Sequence, residues 1–277
     1  MSQEVLFDRN LLRQNRARAA KGFAQHNFLH MEVANRIAEN VEFLGREFES
    51  VLEVGAFDDY LCNLILSGPR NKLGVTMEED TSQELSPRTC CGVHYQFTDD
   101  AEVLPFKPES FDLIVSNLNF HYINQIPEFL IQIKSLLKPN GVFIASFFGE
   151  ENLSQLAHVL YETENEIYNG VSPRMPPTID VKTAASLLAK VGFQNPISDF
   201  AKIEVDYSNP LNLLKDLKMM GQGNILLKRS RKFFTKEFLA KILENYRKMY
   251  GTDDGVTATF EVITVTGWKA SFEKGGG

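Results

Sequence analysis

The stretch Glu53-Val54-Gly55-Ala56-Phe57-Asp58-Asp59-Tyr60 decides the fold of this chain. Val51 and Leu52 join Val54 in a short apolar run, and Leu61 to Leu66 has the spacing of a short helix, so a buried strand turns sharply into a helix at Gly55. In open α/β proteins this turn is commonly rich in glycine, because a ligand presses against the backbone there. Here one glycine is followed by a phenylalanine and two aspartates. Three readings stay open: a working ligand loop, an altered one, or a plain strand-to-helix turn.

Outward from the turn the same alternation repeats. His30 to Glu42 places Val33, Ile37, Ala38 and Val41 on one helical face. Lys72 to Thr76, Val93 to Phe97 and Phe111 to Leu118 read as strands. Ile126 to Leu137 reads as a helix stopped by the turn signal Pro139-Asn140-Gly141, and Gly141 to Gly149 as the next strand. Apolar strands alternating with helices imply βαβ units, hence a doubly wound α/β domain with a mostly parallel sheet. Beyond Gly149 the pattern predicts a helix over 152–168 and a loop over 169–180 containing Pro173, Pro176 and Pro177. A helix over 181–191 closed by Gly192, a strand over 202–207, helices over 210–220 and 236–250, and a last strand over 258–270 follow. The first segment, Phe7 to Phe23, fits a basic helix with Arg9, Arg13, Arg16, Arg18 and Lys21. It reads either as a solvated helix on the domain edge or as a lid or surface for an acidic partner.

Composition bounds the function classes. With 277 residues, 43% of them hydrophobic, the chain can bury a core as one large domain, or one domain with an added cap. A net charge of −7 argues against general nucleic-acid binding, which needs a basic surface. No apolar run approaches the ~18 residues of a spanning helix, and no signal-like block opens the sequence. The expectation is a soluble protein of the bacterial cytoplasm or a mitochondrial-matrix-like compartment. Cys62, Cys90 and Cys91 have neither disulfide-framework nor zinc spacing and read as reduced thiols. No metal site is expected.

Taken together, Val51-Leu-Glu-Val-Gly55, the segment from Thr98 to Ile123 and Leu136 to Gly149 resemble the class I S-adenosylmethionine-dependent methyltransferase superfamily. Leu104-Pro-Phe106, Ser110 to Leu118 and Leu137 to Phe143 are similar to its type 11 group. The segments at Phe7–Ala20, Gly170–Pro177, Leu214–Asn224, Asn245–Gly255 and Ala258–Lys269 resemble the complex I assembly arginine-hydroxylase proteins, relatives of the biotin-pathway malonyl-acyl-carrier-protein methyltransferases. The resemblance implies a seven-stranded sheet with an N-terminal helical lid over 1–45. Residues 46–277 would form the methyltransferase-like domain, with cap insertions around 169–180 and 208–250.

The resemblance also implies a cofactor, S-adenosyl-L-methionine, and residues to hold it. Glu53, Gly55, Ala56 and Phe57 fall at the cofactor-binding positions of the first motif, a Gly-x-Gly-x-Gly turn around the methionine end; Glu53 and Gly55 match it, whereas Phe57 and Asp59 stand where its second and third glycines belong. Asp58 and Asp59 read as helix caps or as partners of a ligand cation. Met77 occupies the position of the acid that grips the ribose, so that role passes to Glu78, or else Glu78 and Glu79 begin a solvated helix. Asp100 and Ala101 match the adenine contacts, or else Asp100 is a helix cap. Asn117 ends a strand at the carboxyl edge of the sheet, where ligands sit, and His121, Tyr122 and Arg174 are candidates to line a substrate. Three functions follow: methyl transfer to a small or carrier-linked acid, arginine hydroxylation of a respiratory complex I subunit, or a binding scaffold with a decayed cofactor pocket. No facial-triad pattern for a hydroxylase metal is evident.

Overall fold

The structure, a computed structural model, describes residues 5–68, 78–79, 93–97, 102–230 and 234–271. The expected strand over 72–76, Met77, Cys90, Cys91, Asp100 and Ala101 lie outside the described residues. In chain order the elements are α1 (Arg9–Ala19), α2 (Phe28–Phe43), β1 (Ser50–Val54), α3 (Tyr60–Ser67), β2 (Glu78–Glu79) and β3 (Val93–Phe97). Next come β4 (Phe111–Asn117), α4 (Ile126–Leu136), β5 (Leu137–Phe148), α5 (Ser154–Tyr168) and α6 (Val181–Val191). The chain continues with β6 (Gln194–Tyr207), α7 (Pro210–Met219), α8 (Lys236–Tyr250), β7 (Gly251–Thr252) and β8 (Gly255–Trp268).

Among the described residues seven strands follow the order β2-β3-β1-β4-β5-β8-β6, and the two-residue β7 pairs antiparallel with β8, making eight where seven were expected. The pairs β2/β3, β3/β1, β1/β4 and β4/β5 are all parallel, as the alternating pattern required. Two expectations are corrected here. Glu78 and Glu79 do not begin a helix: they pair with Tyr95 and Gln96 as a strand. Pro139-Asn140-Gly141 does not end the helix in a free turn but lies inside β5. Phe111 pairs with Leu137 and Leu113 with Val142, so the segment between bulges out of the ladder. Proline has no N–H for that ladder and Asn140 takes φ 61, so the turn residues build a bulge instead.

The chain divides into two compact units. One comprises Phe28–Phe147, Ile179–Phe200 and Ile263–Gly277, and its core runs through Leu52, Ile114, Ile133, Phe143, Leu188 and Val265. Val51 to Val54 are all buried, as a strand covered on both faces requires. Asp112 fixes the start of β1. Its Oδ2 accepts the backbone N–H groups of Glu49 and Ser50, the Ser50 hydroxyl at 2.9 Å and Lys138 Nζ at 3.2 Å. Asp112→Ala strands two of these backbone donors and is expected to cost about 1–3 kcal/mol, read as a lower denaturant midpoint. An unchanged midpoint would show that water satisfies them.

The other unit comprises Met1–Asn27, Phe148–Thr178 and Ala201–Val262. α2 belongs to the first unit, where it packs on α3 and β4. In this second unit Asp8 caps α1 by accepting from the Leu11 N–H, and Leu12 and Ala19 bury the apolar side of that basic helix. The preceding segment is tied by Asp8 N–H to Ile225 O and by Leu227 N–H to Leu6 O. Residues 169–180 form no helix or strand, as the three prolines predict.

Candidate functional site

Gly55 ends β1 with φ 77, a left-handed conformation that only glycine adopts without strain. A Cβ there would stand 2.2 Å from Cγ of Asn119, so the buried Asn119 side chain occupies the space that the missing Cβ leaves. Strands β1 and β4 end level with each other, Ser116 Oγ donating to Val54 O at 3.0 Å. Just beyond, Asn117 Nδ2 donates to the backbone carbonyl of His30 at 3.0 Å. The His30 ring lies 6.2 Å from that of Phe57. A short 3-10 turn over Phe120–Tyr122 follows β4 and sets the buried rings of His121 and Tyr122 4.1 Å apart, tilted by 51°. The first unit thus gathers Glu53, Gly55, Ala56, Phe57, Asn117, His121 and Tyr122 around two neighbouring strand ends.

The electrostatics of this corner are those of acceptors. Glu53 is buried at 2% exposure. Burial, reinforced by the charges of Glu53 and Asp59, pushes the Cys62 thiol up to about 12. It is no nucleophile at neutral pH. Asp58 accepts the Tyr60 N–H at 3.1 Å, whereas the Asp59 side chain makes no capping bond. Capping therefore accounts for the first aspartate and not the second. Asn117 adds a buried Oδ1 that has no hydrogen-bond partner among the described residues.

Other candidates fall elsewhere. β3 runs beside β1 with Phe97 level with Val54, and Glu102 is the first described residue after the adenine-contact positions. Glu102 anchors α4, accepting from the Asn124 N–H at 2.7 Å, Asn124 Nδ2 at 2.9 Å and the Gln125 N–H at 3.2 Å. Arg174 has its described partners on α5 and α8. It belongs to the second unit, where its guanidinium is committed to the buried Glu164 and lies over the Phe238 ring at 5.3 Å. A cavity of about 620 Å³ between α2 and α3 is lined by Asn35, Arg36, Arg46 and Ile65 among others, and by none of the candidate residues. Among the described residues, no group of three or more His, Cys, Asp or Glu side chains is arranged to hold a metal ion. Sequence reasoning missed Asn119 and His30. The run Ser116-Asn-Leu-Asn119 carried a signal for the first, while nothing local marked the second.

Comparison with known proteins fits this geometry. The Methyltransferase domain family matches residues 52–145, which hold the β1 turn and β4. The chain is 32% identical over 268 residues to the mitochondrial arginine-hydroxylase NDUFAF5 of Danio rerio, covering 95% of this chain and 83% of that one. It is 33% identical over 270 residues to the human protein, covering 95% and 77%. The chain belongs to the NDUFAF5 family. The family's methyltransferase-like character extends to a malonyl-[acyl-carrier protein] O-methyltransferase of Gallionella capsiferriformans, 25% identical over 96% of this chain and 92% of that one. Among solved structures the YcgJ protein of Bacillus subtilis shares the fold, with a TM-score of 0.53 at 13% identity over 87% of this chain and 99% of that one. No helix among the described residues is long and apolar enough to cross a membrane.

Proposed function

We propose that this methyltransferase-like chain binds S-adenosylmethionine where β1 and β4 end. The observation that carries this reading is Asn117. Its Nδ2 is spent on the His30 carbonyl, which fixes the amide and leaves Oδ1 a buried acceptor without a donor among the described residues. An unsatisfied buried acceptor costs about 1–3 kcal/mol, and a ligand carrying an ammonium or N–H group removes that cost. Glu53, Gly55, Ala56 and Phe57 would meet the methionine end, and Glu78, Asp100 and Ala101 the nucleoside, as the resemblance implies. The cofactor, when bound, supplies a methyl group made electrophilic by a cationic sulfur. This chain's part is to orient that group, with His121 and Tyr122 lining the substrate side.

A second reading is arginine hydroxylation in the assembly of respiratory complex I. It is supported by the identity to arginine-hydroxylases along 95% of the chain. A guanidinium also brings N–H donors that suit Asn117 Oδ1. Its oxidant would come from outside the chain. Methyl transfer to a carrier-linked acid has less support, since the corner offers acceptors and an uncapped Asp59 to a carboxylate. The mitochondrial relatives support a matrix location, or its bacterial cytoplasmic equivalent.

Thermal shift with S-adenosylmethionine and S-adenosylhomocysteine tests the first reading. Saturating ligand is expected to raise the melting temperature by mass action, and Phe57→Gly to tighten binding by removing bulk from the turn. No shift at about 100 times a micromolar Kd, where ~2.7 kcal/mol is due, would sink it and leave the scaffold. For the second reading, complex I subunits should copurify from native extract; failure to enrich any would count against it.

A further inference from the structure

The cavity of about 620 Å³ between α2 and α3 lies within the first unit, and no residue of the cofactor reading lines it. Its floor is apolar, with Val41 and Ile65 at 4% and 2% exposure. Tyr60 Oη donates to Asn35 Oδ1 at 3.2 Å and ties the start of α3 to the middle of α2. The two cations in its wall are committed elsewhere. Arg36 is bound at 2.9 Å to Glu32, one turn back on the same helix. Arg46 donates to the backbone carbonyls of Asn140 at 2.7 Å and Asp112 at 3.4 Å. Glu39 and Glu42 also line the cavity, both are exposed, and among the described residues no cation pairs with either.

Folding accounts for neither of these carboxylates. Glu42 stands in the last turn of α2 and Glu39 just before it, where the helix dipole disfavours an anion, and that turn holds no basic residue to offset them. Phe43 ends the helix and is 92% exposed, so the core gains little from it. It follows Glu39 by four residues and Arg36 by seven, which puts it on their side of the helix, at the rim of the cavity. A ring left in water beside unpaired carboxylates and an apolar floor suits a ligand that is both apolar and cationic. Two exposed carboxylates are too few oxygens for a metal ion, and a metal would leave the ring uncovered. A third helix laid along the groove between two packed helices covers floor, ring and acids together. The chain's own basic helix, α1, already buries Leu12 and Ala19 in the second unit, so its apolar side is taken.

We propose that the groove between α2 and α3 receives a basic amphipathic helix of a partner protein, whose cations meet Glu39 and Glu42 and whose apolar side covers Phe43, Val41 and Ile65. The proposal is independent of S-adenosylmethionine binding.

Fluorescence anisotropy of labelled peptides with the full chain tests it. An amphipathic helical peptide of leucine and lysine is expected to bind, its counterpart with glutamate in place of lysine to stay free, and added salt to weaken the binding. Glu39→Lys/Glu42→Lys and Phe43→Ser should each weaken it about tenfold. Asp253→Lys/Asp254→Lys makes the same change of charge on the exposed turn between β7 and β8 and should leave it unaltered. Circular dichroism melting checks that every variant folds. No binding of the lysine peptide, equal binding of both peptides, or full binding by both groove variants would overturn the proposal. So would an equal loss in the Asp253/Asp254 variant, since net charge alone would then hold the peptide. Self-association of the full chain in sedimentation, abolished by the groove variants, would overturn it in favour of a second copy.

Discussion

Gly55→Ala is expected to destabilise the first unit by about 2–5 kcal/mol, from left-handed strain of ~1–2 kcal/mol and a displaced buried amide of ~1–3 kcal/mol. The strain arises because φ is 77 at this residue, and the displacement because the new Cβ would stand 2.2 Å from the Asn119 amide. Domains of this kind are stable by only about 5–15 kcal/mol, so the loss should be plain in a denaturant titration. Two companions separate the causes. Gly170→Ala, with nothing within 4 Å of its Cβ, should change stability little. Adding Asn119→Gly to the Gly55 variant should recover the steric part and leave the strain. A Gly55→Ala chain as stable as its parent would mean that the turn accepts a side chain, and the reading of a backbone-exposing loop would fall with it.

The second large effect concerns Glu164. Its carboxylate is only 4% exposed and receives Arg174 Nη2 at 2.7 Å, Arg174 Nε at 3.3 Å, the Ser172 N–H at 2.9 Å and the Ser172 hydroxyl at 2.6 Å. These bonds pin the proline-rich loop to α5. Glu164→Ala leaves Arg174, 16% exposed, without its counter-charge; removing one partner of a buried pair costs about 3–5 kcal/mol, and the residual exposure of Arg174 puts this case near the lower figure. Replacing both residues with methionine should recover most of the loss, because two apolar side chains leave no stranded charge. Arg174→Lys should recover little, since an ammonium cannot reproduce the two-pronged contact. A midpoint unmoved by Glu164→Ala would show that the loop is held by other contacts.

The same group gives a pH dependence. Burial pushes the Glu164 carboxyl up, but the bonds from Arg174 and Ser172 outweigh it and hold the carboxyl below its ordinary range. A carboxyl lowered by folding contributes stability that is complete above its unfolded value of about 4.3 and is lost as pH falls through the folded value. The acid limb of a stability profile should therefore flatten in the Glu164/Arg174 double methionine variant.

Much of the fold was legible because its signals are local. The apolar run into Gly55, the 3.6-residue spacing of Val33, Ile37 and Val41, and the cap-and-glycine ends of α6 each depend on residues a few positions apart. The candidate site was legible in part. Glu53, Gly55, Asn117, His121 and Tyr122 meet because parallel strands end on one edge, which βαβ order alone dictates. The pairing of Arg174 with Glu164 was not legible, because no periodicity announces an ion pair across a loop.

By itself, then, the sequence determined the strand-turn-helix at Gly55, the parallel α/β order and the resemblance to a methyltransferase-like family. Only the tertiary structure decided that Asn119 fills the space beside Gly55, that Pro139-Asn140-Gly141 bulges within β5, and that Asn117 turns an unpaired oxygen inward. The division has one physical cause. Backbone propensity and hydrophobic period are set by neighbours in the chain, whereas the partners of a buried polar atom come from residues far apart in sequence, such as Asn117 and His30.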